Sequence, residues 1–169
     1  SGIDADLSWR HEWGENRAFS VRAVASHLLY RDVFADIANP ATRNRIKSEL
    51  GDPAWRLRLS TRLDLDRWSL AHDAHYIGRQ ILSGFEYETF FPLDGRPALN
   101  PDATPGPWYP ARWQHDLRIG FAPSERLAIH LAVENVLDAK PPLDLLGIEN
   151  GSLLDAVGRY VSASVKVSF

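Results

Sequence analysis

The chain of 169 residues is 44% apolar, and its 19 Lys and Arg against 22 Asp and Glu give a net charge of -3. This length suits one all-β unit better than two domains, and the slightly acidic balance argues against a nucleic-acid partner. Zero cysteines and zero methionines exclude disulfides, thiolate metal sites and cysteine nucleophiles. No run reaches the ~18 to 20 apolar residues of a membrane helix. No secretion signal is visible, so the chain is a mature fragment or its signal lies upstream.

Alternation of apolar and polar residues with a period of two dominates the sequence and predicts strands. The first predicted strand covers residues 3–13, and Gly14-Glu15-Asn16 forms its turn. The second begins at Phe19, but Leu28 and Tyr30 leave its phase. This change of phase predicts a bulge or an early exit from the sheet.

Five further strands follow in the same pattern. The third is the clearest, because Trp, Leu and Thr alternate with Arg, Ser and Asp along its whole length before the turn at Asp66-Arg67. The fourth is interrupted by His72, which falls on the apolar face. The third to seventh strands cover residues 55–65, 68–76, 113–121, 127–134 and 160–169.

The connections between these strands alternate in length. They are tight after strands one, three and five, and roughly 18 to 36 residues long after strands two, four and six. Helical spacing is confined to the stretch from about Ala35 to Leu50. In a bacterial outer-membrane barrel short turns are periplasmic and long loops extracellular. We therefore expect the last strand to descend and to leave Phe169 at the periplasmic side.

Aromatic residues fall near the ends of the predicted strands and aliphatic residues in the middle, as expected for two water-lipid interfaces around an apolar band. A soluble barrel, whose apolar face points inward, needs no such sorting. The pattern predicts an antiparallel transmembrane β-barrel segment in the bacterial outer membrane. The predicted upper interface holds Trp55, Tyr76 and Trp113, and the lower one holds Trp9, Trp13, Phe19, Trp68, Phe121 and Phe169.

The odd number of strands carries a further expectation. A bacterial single-chain barrel has an even number of strands, and open edges cannot be left unpaired in lipid. We therefore expect Ser1 and Gly2 to emerge from an extracellular loop, with partner strands upstream in the same gene product.

Two C-terminal segments resemble the TonB-dependent outer-membrane receptors. Residues 132–138, AVENVLD, are similar to the end of the penultimate strand in that family, where an Asn, two apolar residues and an Asp precede a loop. Gly158-Arg159-Tyr160, followed by an alternating strand and Phe169, is similar to the closing segment. Gly51-Asp52-Pro53 is also similar, though less specific. The resemblance is strongest over residues 132–169.

The resemblance implies that residues 1–169 are the C-terminal portion of a barrel of about 22 strands, with about fifteen strands and an N-terminal plug absent. In that family the plug engages the inner-membrane TonB energising complex. The chain would supply wall, extracellular loops and part of the binding vestibule for a scarce nutrient such as a ferric siderophore. Outer-membrane lipid, the barrel assembly machinery and the small-molecule substrate would be further partners, and no cofactor is implied.

Charged residues on the predicted polar face allow two interpretations. They could form a charged path for an anionic substrate, or a cross-strand ion-pair ladder, which we favour because such pairs form readily between neighbouring strands. The paired acids Asp4/Asp6 and Asp64/Asp66 have no cleft that would indicate a glycosidase. A nucleophile elbow and a phosphate loop are also absent, so we predict no enzyme activity. The charged residues are Arg56, Arg58, Arg62, Arg118, Asp4, Asp6, Asp64, Asp73 and Asp116.

His72, Asp73 and His75 could suggest a metal site. On a strand, however, Asp73 and His75 share one face while His72 points to the other, so only two ligands converge. We predict a polar pair and no metal site here. His72 on the apolar face would contact a neighbouring subunit, or else the strand shifts phase there.

The long loop between strands four and five contains the candidate substrate contacts Arg79, Tyr87, Trp108 and Tyr109. Loops on a rigid scaffold carry recognition, and aromatic side chains with arginine suit an aromatic or anionic ligand. The prolines of this loop equally suit simple loop packing. Phe169 resembles the terminal aromatic signal read by the barrel assembly machinery, and it would also fit the lower interface.

Three functions remain open from the sequence. The leading hypothesis is a TonB-dependent transporter. A non-transporting outer-membrane barrel, such as an adhesin or a small porin, is the second. A soluble β-barrel binding protein is the third, and the placement of the tryptophans disfavours it.

Overall fold

The computed structural model describes residues 1–36, 38–39, 41, 43–81, 108–140 and 157–168. The strands are β1 (Gly2–Gly14), β2 (Arg17–Leu28), β3 (Asp32–Phe34), β4 (Arg43–Arg45), β5 (Trp55–Leu65), β6 (Trp68–Ile77), β7 (Gln80–Ile81), β8 (Trp108–Tyr109), β9 (Arg112–Ser124), β10 (Leu127–Glu134) and β11 (Tyr160–Val167).

Seven of these strands form one antiparallel sheet in the order β1-β2-β5-β6-β9-β10-β11. Each strand pairs with the next one of the sheet along the chain, so the sheet is a simple meander. The predicted all-β class and the seven antiparallel strands are confirmed. In the described ranges, we find no helix of the length and apolar character needed to cross a membrane.

Of the two endings predicted for the second strand, a bulge or an early exit from the sheet, the structure shows the exit. Its register with β5 runs without a shift from Arg17 to His27, so it contains no bulge there, and the strand simply leaves the sheet after Leu28. The irregularity lies in the partner strand instead, between Glu12 and Gly14 of β1. Leaving the sheet early explains why Leu28 and Tyr30 fall out of phase.

Two small two-stranded sheets were not anticipated. β3 lies just before the stretch that carries helical spacing and pairs with β4 inside it, and β7 pairs with β8 at the base of the next long connection. Backbone bonds join the two loop bases, since Leu50 N–H donates to Ile81 O at 2.9 Å and Ile81 N–H donates to Ser48 O at 2.7 Å. The long connections therefore begin as a joined structure rather than as independent loops.

The strand register sorts side chains onto two faces. One face, called here the apolar face, is almost entirely apolar because residues of the same phase are aligned across all seven strands. Among the described residues almost no large apolar side chain is buried, and Leu7 on this face is 71% exposed. The apolar face comprises Ile3, Ala5, Leu7, Trp9, His11, Trp13, Phe19, Val21, Ala23, Ala25, His27, Trp55, Leu57, Leu59, Thr61, Leu63, Leu65, Trp68, Leu70, His72, Ala74, Tyr76, Trp113, His115, Leu117, Ile119, Phe121, Leu127, Ile129, Leu131, Val133, Val161, Ala163, Val165 and Val167.

Aromatic contacts mark the two ends of the apolar face on the β6/β9 pair. Trp68 stacks on Phe121 with ring centroids 4.3 Å apart, and Tyr76 contacts Trp113 at 5.0 Å. These contacts agree with the predicted grouping of Trp68 with Phe121 and of Tyr76 with Trp113. Phe169, predicted for the lower group, lies outside the described residues.

The short turns contact one another at one end of the strands. Asp66, at φ 54° in the β5/β6 turn, accepts hydrogen bonds from Arg17 at the start of β2, with Nη2 2.7 Å from Oδ2. These bonds hold the pKa of Asp66 below its ordinary value. The Asp66 N–H also donates to Asn16 O at 2.9 Å. Neighbouring turns are thus joined by hydrogen bonds at the end of the sheet opposite the long connections.

Candidate functional site

The face opposite the apolar face, called here the polar face, carries the charged side chains. Its members come from the alternate positions of the same strands, so their placement follows directly from the period of two. The polar face includes Asp4, Asp6, Ser8, Arg10, Glu12, Ser20, Arg22, Ser26, Arg56, Arg58, Ser60, Arg62, Asp64, Ser69, Asp73, His75, Arg112, Gln114, Asp116, Arg118, His130, Glu134, Ser162, Ser164 and Lys166.

Asp73 is the centre of a four-residue cluster on the polar face. Its side chain is 13% exposed, and its Oδ1 accepts a bond of 2.5 Å from the Ser60 hydroxyl. Arg58 Nη2 lies 3.3 Å from Oδ1, and Arg118 Nη1 lies 3.4 Å from Oδ2. Both guanidinium groups remain exposed. One carboxylate therefore positions two cations, and the cluster keeps a net positive charge toward the open side.

The remaining ion pairs of the polar face are of two kinds. Arg22 pairs with Asp6 on the neighbouring strand, with Nη2 2.6 Å from Oδ2. Arg62 instead pairs with Asp64 two positions along its own strand, at 2.8 Å. Arg10 and Glu12 form a second pair of that kind at 2.7 Å. The predicted cross-strand ladder is therefore confirmed for Asp6 and Asp73 and wrong for Asp64, whose partner shares its strand.

A groove of about 470 Å³ lies on the polar face toward the long connections. Its polar lining combines Arg56, Arg58, His75, Gln114 and Asp116. Arg56 donates to the Gly51 carbonyl oxygen, which ties the base of the first long connection to the groove. Cationic groups with free donors on a concave surface suit an anionic ligand.

Three of the four predicted substrate contacts meet at the base of the second long connection. The Arg79 guanidinium carbon lies 4.4 Å from the centroid of the Trp108 ring. Tyr109 follows Trp108 and pairs with the buried Gln80 in β7 and β8. Gln80 Nε2 donates to Glu49 O at 2.9 Å, which joins this base to the first connection. Tyr87, the fourth predicted contact, lies outside the described residues.

The Asn and Asp of the AVENVLD segment close the end of the β9/β10 pair. Buried Asn135, at φ 51°, bonds Ala139 through both ends of its side-chain amide, at 2.9 and 2.8 Å. Its backbone N–H donates to Asp116 Oδ1 at 2.8 Å. Asp138 Oδ1 accepts from the Arg159 N–H at 2.9 Å and from Lys140 Nζ at 3.0 Å. The two resembling C-terminal segments thus contact each other directly.

Gly158 is required beside this contact. It has φ 78°, and a Cβ placed on it would lie 2.6 Å from both Asp138 Oδ1 and Lys140 Nζ. A side chain at this position would therefore be strained and would displace the carboxylate that holds Arg159. The glycine before the last strand is thus a structural requirement, which the sequence alone did not explain, whereas Arg159 contributes only its backbone N–H to this contact.

Acid is expected to release the Asp138 contact. Hydrogen bonds from the Arg159 N–H, first, and from Lys140 hold the pKa of Asp138 below its ordinary value. A depressed folded-state pKa adds stability above the unfolded value of about 3.9, and this stability is lost as the pH falls through the folded pKa. We expect Asp138→Asn to be less stable than the parent at pH 7, and we expect this difference to shrink as the pH falls below about 3.9. Urea unfolding at pH 7 and at a series of pH values below 4 measures this; a difference that stays constant would contradict it.

His72 belongs to the apolar face, as its position in the strand predicted, while Asp73 and His75 share the polar face. The suggested shift of phase is wrong, because the β5/β6 register runs without interruption from Leu65 to Arg56. His72 instead forms a pair with His115 of β9, with Nε2 2.9 Å from Nδ1. Within the described ranges, no group of three or more His, Asp or Glu side chains could hold a metal ion.

No protein-family model and no curated protein matches this sequence. A crystal structure of the ferric enterobactin receptor (PfeA) in complex with BCV-L6 aligns with 96% of this chain, with a TM-score of 0.51 and 15% identity. The chain has the fold of a segment of that receptor. It spans 22% of the receptor chain. Two mutant forms of the same receptor from Pseudomonas aeruginosa align with 99% of this chain at 11% identity, with TM-scores of 0.44 and 0.46 and 31% of each receptor chain covered.

The likeness to PfeA confirms, for the fold, the resemblance that the C-terminal segments suggested. Among the described residues, the seven-stranded antiparallel meander is the main part of the fold that this alignment covers. The fold likeness concerns nearly the whole chain, whereas the residues that suggested it are concentrated in 132–169. The antiparallel fold is therefore what this chain shares with the receptor, independently of those motifs.

Proposed function

We propose that the chain forms part of the wall of a TonB-dependent outer-membrane transporter for a scarce nutrient, most simply a ferric siderophore. The observation that carries the proposal is the two-sided sheet, in which an uncovered apolar face lies opposite a face of paired charges. Strands of transmembrane barrels alternate lipid-facing apolar and lumen-facing polar residues in this way. The fold likeness to the ferric enterobactin receptor supports the same interpretation.

The dimensions of the apolar face support placement in a membrane. The Trp68/Phe121 and Tyr76/Trp113 contacts are separated by eight positions of β6, or about 26 Å along the strand. At a strand tilt of about 40°, this separation corresponds to about 20 Å along the membrane normal, close to the ~25 Å apolar band of such barrels. Aromatic side chains at both ends suit the two interfaces.

The polar face suits a plug and a passing anionic substrate in this proposal. Most carboxylates of the polar face are already paired with arginines, so a plug inside the barrel would face few unpaired negative charges. Arg58 and Arg118 retain exposed guanidinium groups, Arg58 toward the long connections and Arg118 nearer the short turns, so a passing anion would meet them in turn. The TonB complex would act through the plug, and Phe169 would serve the assembly machinery.

Iron-limited growth tests the transport proposal. Deleting the gene for the full-length protein should abolish growth on at least one ferric siderophore as sole iron source. Complementation should require an intact TonB complex, and fractionation should recover the protein in the outer membrane. A protein found in the outer membrane whose deletion alters no nutrient uptake would contradict transport and leave a plain barrel. Recovery in the soluble fraction would contradict both.

The Arg79/Trp108 contact provides a test of substrate recognition. We expect Arg79→Ala and Trp108→Ala each to weaken binding of the transported ferric siderophore by about two- to fivefold, the range of an exposed cation-π contact. The double variant should be little worse than either single one, because each residue positions the other. Arg67→Ala, a matched change in a short turn, should leave the Kd unchanged. Equal effects at Arg67 and Arg79 would argue against recognition at this loop base.

A further inference from the structure

The centre of the apolar face contains a polar interruption formed by two histidines. His72 of β6 and His115 of β9 lie with their rings nearly parallel, at 4° and 5.2 Å between centroids, and share a hydrogen bond of 2.9 Å. His72 is four positions from Trp68 at one end of its strand and four from Tyr76 at the other. His72 is therefore as far from both aromatic ends as β6 allows, whereas His115 lies two positions from Trp113, with ring centroids 5.9 Å apart.

The other histidines of the apolar face differ in their position. His27 is near the long-connection end of β2, where its Nδ1 lies 2.9 Å from Ala54 O and its ring stacks on Trp55 at 3.9 Å. His11 lies near the short turn of β1, between Trp9 and Trp13, with ring centroids 5.9 Å away in each case. Amphipathic rings near strand ends are expected at an interface. Among the histidines in the described part of the apolar face, only His72, with the hydrogen bond that it shares with His115, therefore needs a separate explanation.

The His72/His115 pair has ring nitrogens that their mutual hydrogen bond does not use. Two neutral imidazoles have two N–H donors and two bare nitrogens in total. Their mutual bond uses one of each, so one donor and one acceptor remain. The described residues supply no partner to the remaining donor and acceptor, and lipid tails supply none either.

A surface that presents one donor and one acceptor is complementary to itself. Two such surfaces related by a two-fold axis place each donor against the acceptor of the other copy, which is the arrangement of an isologous interface. Exposed apolar side chains surround the pair and could pack around it. These are Leu70, Leu117 and Ile119.

We propose that a second copy of this protein covers His72 and His115 in a two-fold symmetric contact through the apolar face. The proposal rests on the proposed function, since it requires the apolar face to meet lipid. A polar group left without a partner in hydrocarbon is unfavourable, and the second copy removes that penalty for both molecules at once. Side-by-side dimers of the transporter in the membrane are the consequence.

Cross-linking in the outer membrane tests this contact. The 169 residues contain no cysteine, so Leu117→Cys places a single thiol of this chain beside His72, its register partner. In the full-length protein, otherwise cysteine-free, a short bis-maleimide should yield a product of twice the monomer mass. Leu7→Cys is the matched control, because Leu7 lies on the same face, is 71% exposed, and belongs to β1, four strands away from the β9 strand of Leu117. It should yield monomer.

Removing the imidazoles separates the histidine contact from simple apolar packing. His72→Leu/His115→Leu in the Leu117→Cys background should lower the association constant by roughly eightfold, because two intermolecular bonds are lost and each is worth about threefold on average in membranes. His27→Leu should leave the cross-linked fraction unchanged.

The possible outcomes distinguish the dimer from the transport proposal. Protein in the outer membrane that stays monomeric at Leu117→Cys, or that cross-links equally at Leu7→Cys, overturns the dimer and leaves the proposed function standing. A product of another mass indicates a different partner and also overturns it, as does a double His variant with an unchanged dimer fraction. Absence of the protein from the outer membrane overturns both proposals.

Discussion

Leu131→Arg is expected to lower the free energy of unfolding by about 2 to 4 kcal/mol when the full-length protein is in a lipid bilayer. Leu131 lies in the middle of β10 on the apolar face and is 44% exposed. In water, a change from one exposed side chain to another is nearly neutral, typically within about 0.5 kcal/mol. In hydrocarbon, the guanidinium loses its hydration without gaining a partner. The size of the effect therefore reports what the apolar face contacts.

Leu65→Arg provides the matched control for this prediction. Leu65 shares the apolar face and is 40% exposed, but it ends β5 beside the Asp66 turn. Near an interface the same substitution is expected to change stability by only about 0 to 1 kcal/mol, since the long side chain can reach water. Urea unfolding in lipid vesicles measures both variants. Equal and small changes at Leu131 and Leu65 would contradict membrane placement of this face.

The fold was readable from the sequence because one physical constraint acts on every strand. A one-residue slip would move all apolar residues of a strand to the other face, so alternation fixes both the strands and their register. The third predicted strand, residues 55–65, agrees with β5 at both ends. The strand ending after Leu28 was harder to read, because a bulge and an exit from the sheet produce the same change of phase.

Short-range features were not readable in the same way. β3, β4, β7 and β8 have two or three residues each, which is too short for a period of two to stand out from chance. Helical spacing in residues 35–50 gave no indication of β4, which lies in this stretch and pairs with β3 just before it. Their strands depend on backbone bonds between distant residues, which no local pattern records.

The polar face shows which parts of the candidate site the sequence can provide. Alternation places Arg58, Asp73 and Arg118 on one face, but their meeting depends on the diagonal offset between three strands. Arg62 chooses Asp64 on its own strand because both residues lie on one face two positions apart. The sequence thus predicts which residues share a face. Which arginine pairs with which carboxylate depends on side-chain geometry.

The His72/His115 pair could have been found with one further step. Aligning Trp68 with Phe121 and Tyr76 with Trp113, as the aromatic grouping already suggests, fixes the register of strands four and five. That register places His72 opposite Leu117, with His115 as its diagonal neighbour, within reach of long side chains. A residue that breaks a pattern on one strand should therefore be compared with the exceptions on the adjacent strands.

The AVENVLD segment provides the second large effect. Asn135→Ala is expected to lower the free energy of unfolding by about 3 kcal/mol. Two buried bonds to Ala139 are lost, each worth about 1 kcal/mol net. In addition, an alanine at φ 51° adds about 1 kcal/mol of backbone strain. The Asn135 N–H can still donate to Asp116, so the end of β10 remains partly connected.

Asn135→Gly separates the two contributions to this effect. Glycine loses the same side-chain bonds but adopts the left-handed conformation without strain, so we expect a loss of about 2 kcal/mol, smaller than that of Asn135→Ala. Glycine also gains freedom in the unfolded state, which partly offsets this advantage. Urea unfolding of both variants in the same lipid gives the comparison. If the glycine variant is clearly the less stable of the two, the left-handed backbone is not what selects asparagine. The side-chain hydrogen bonds to Ala139 would then be the sole reason for asparagine at position 135.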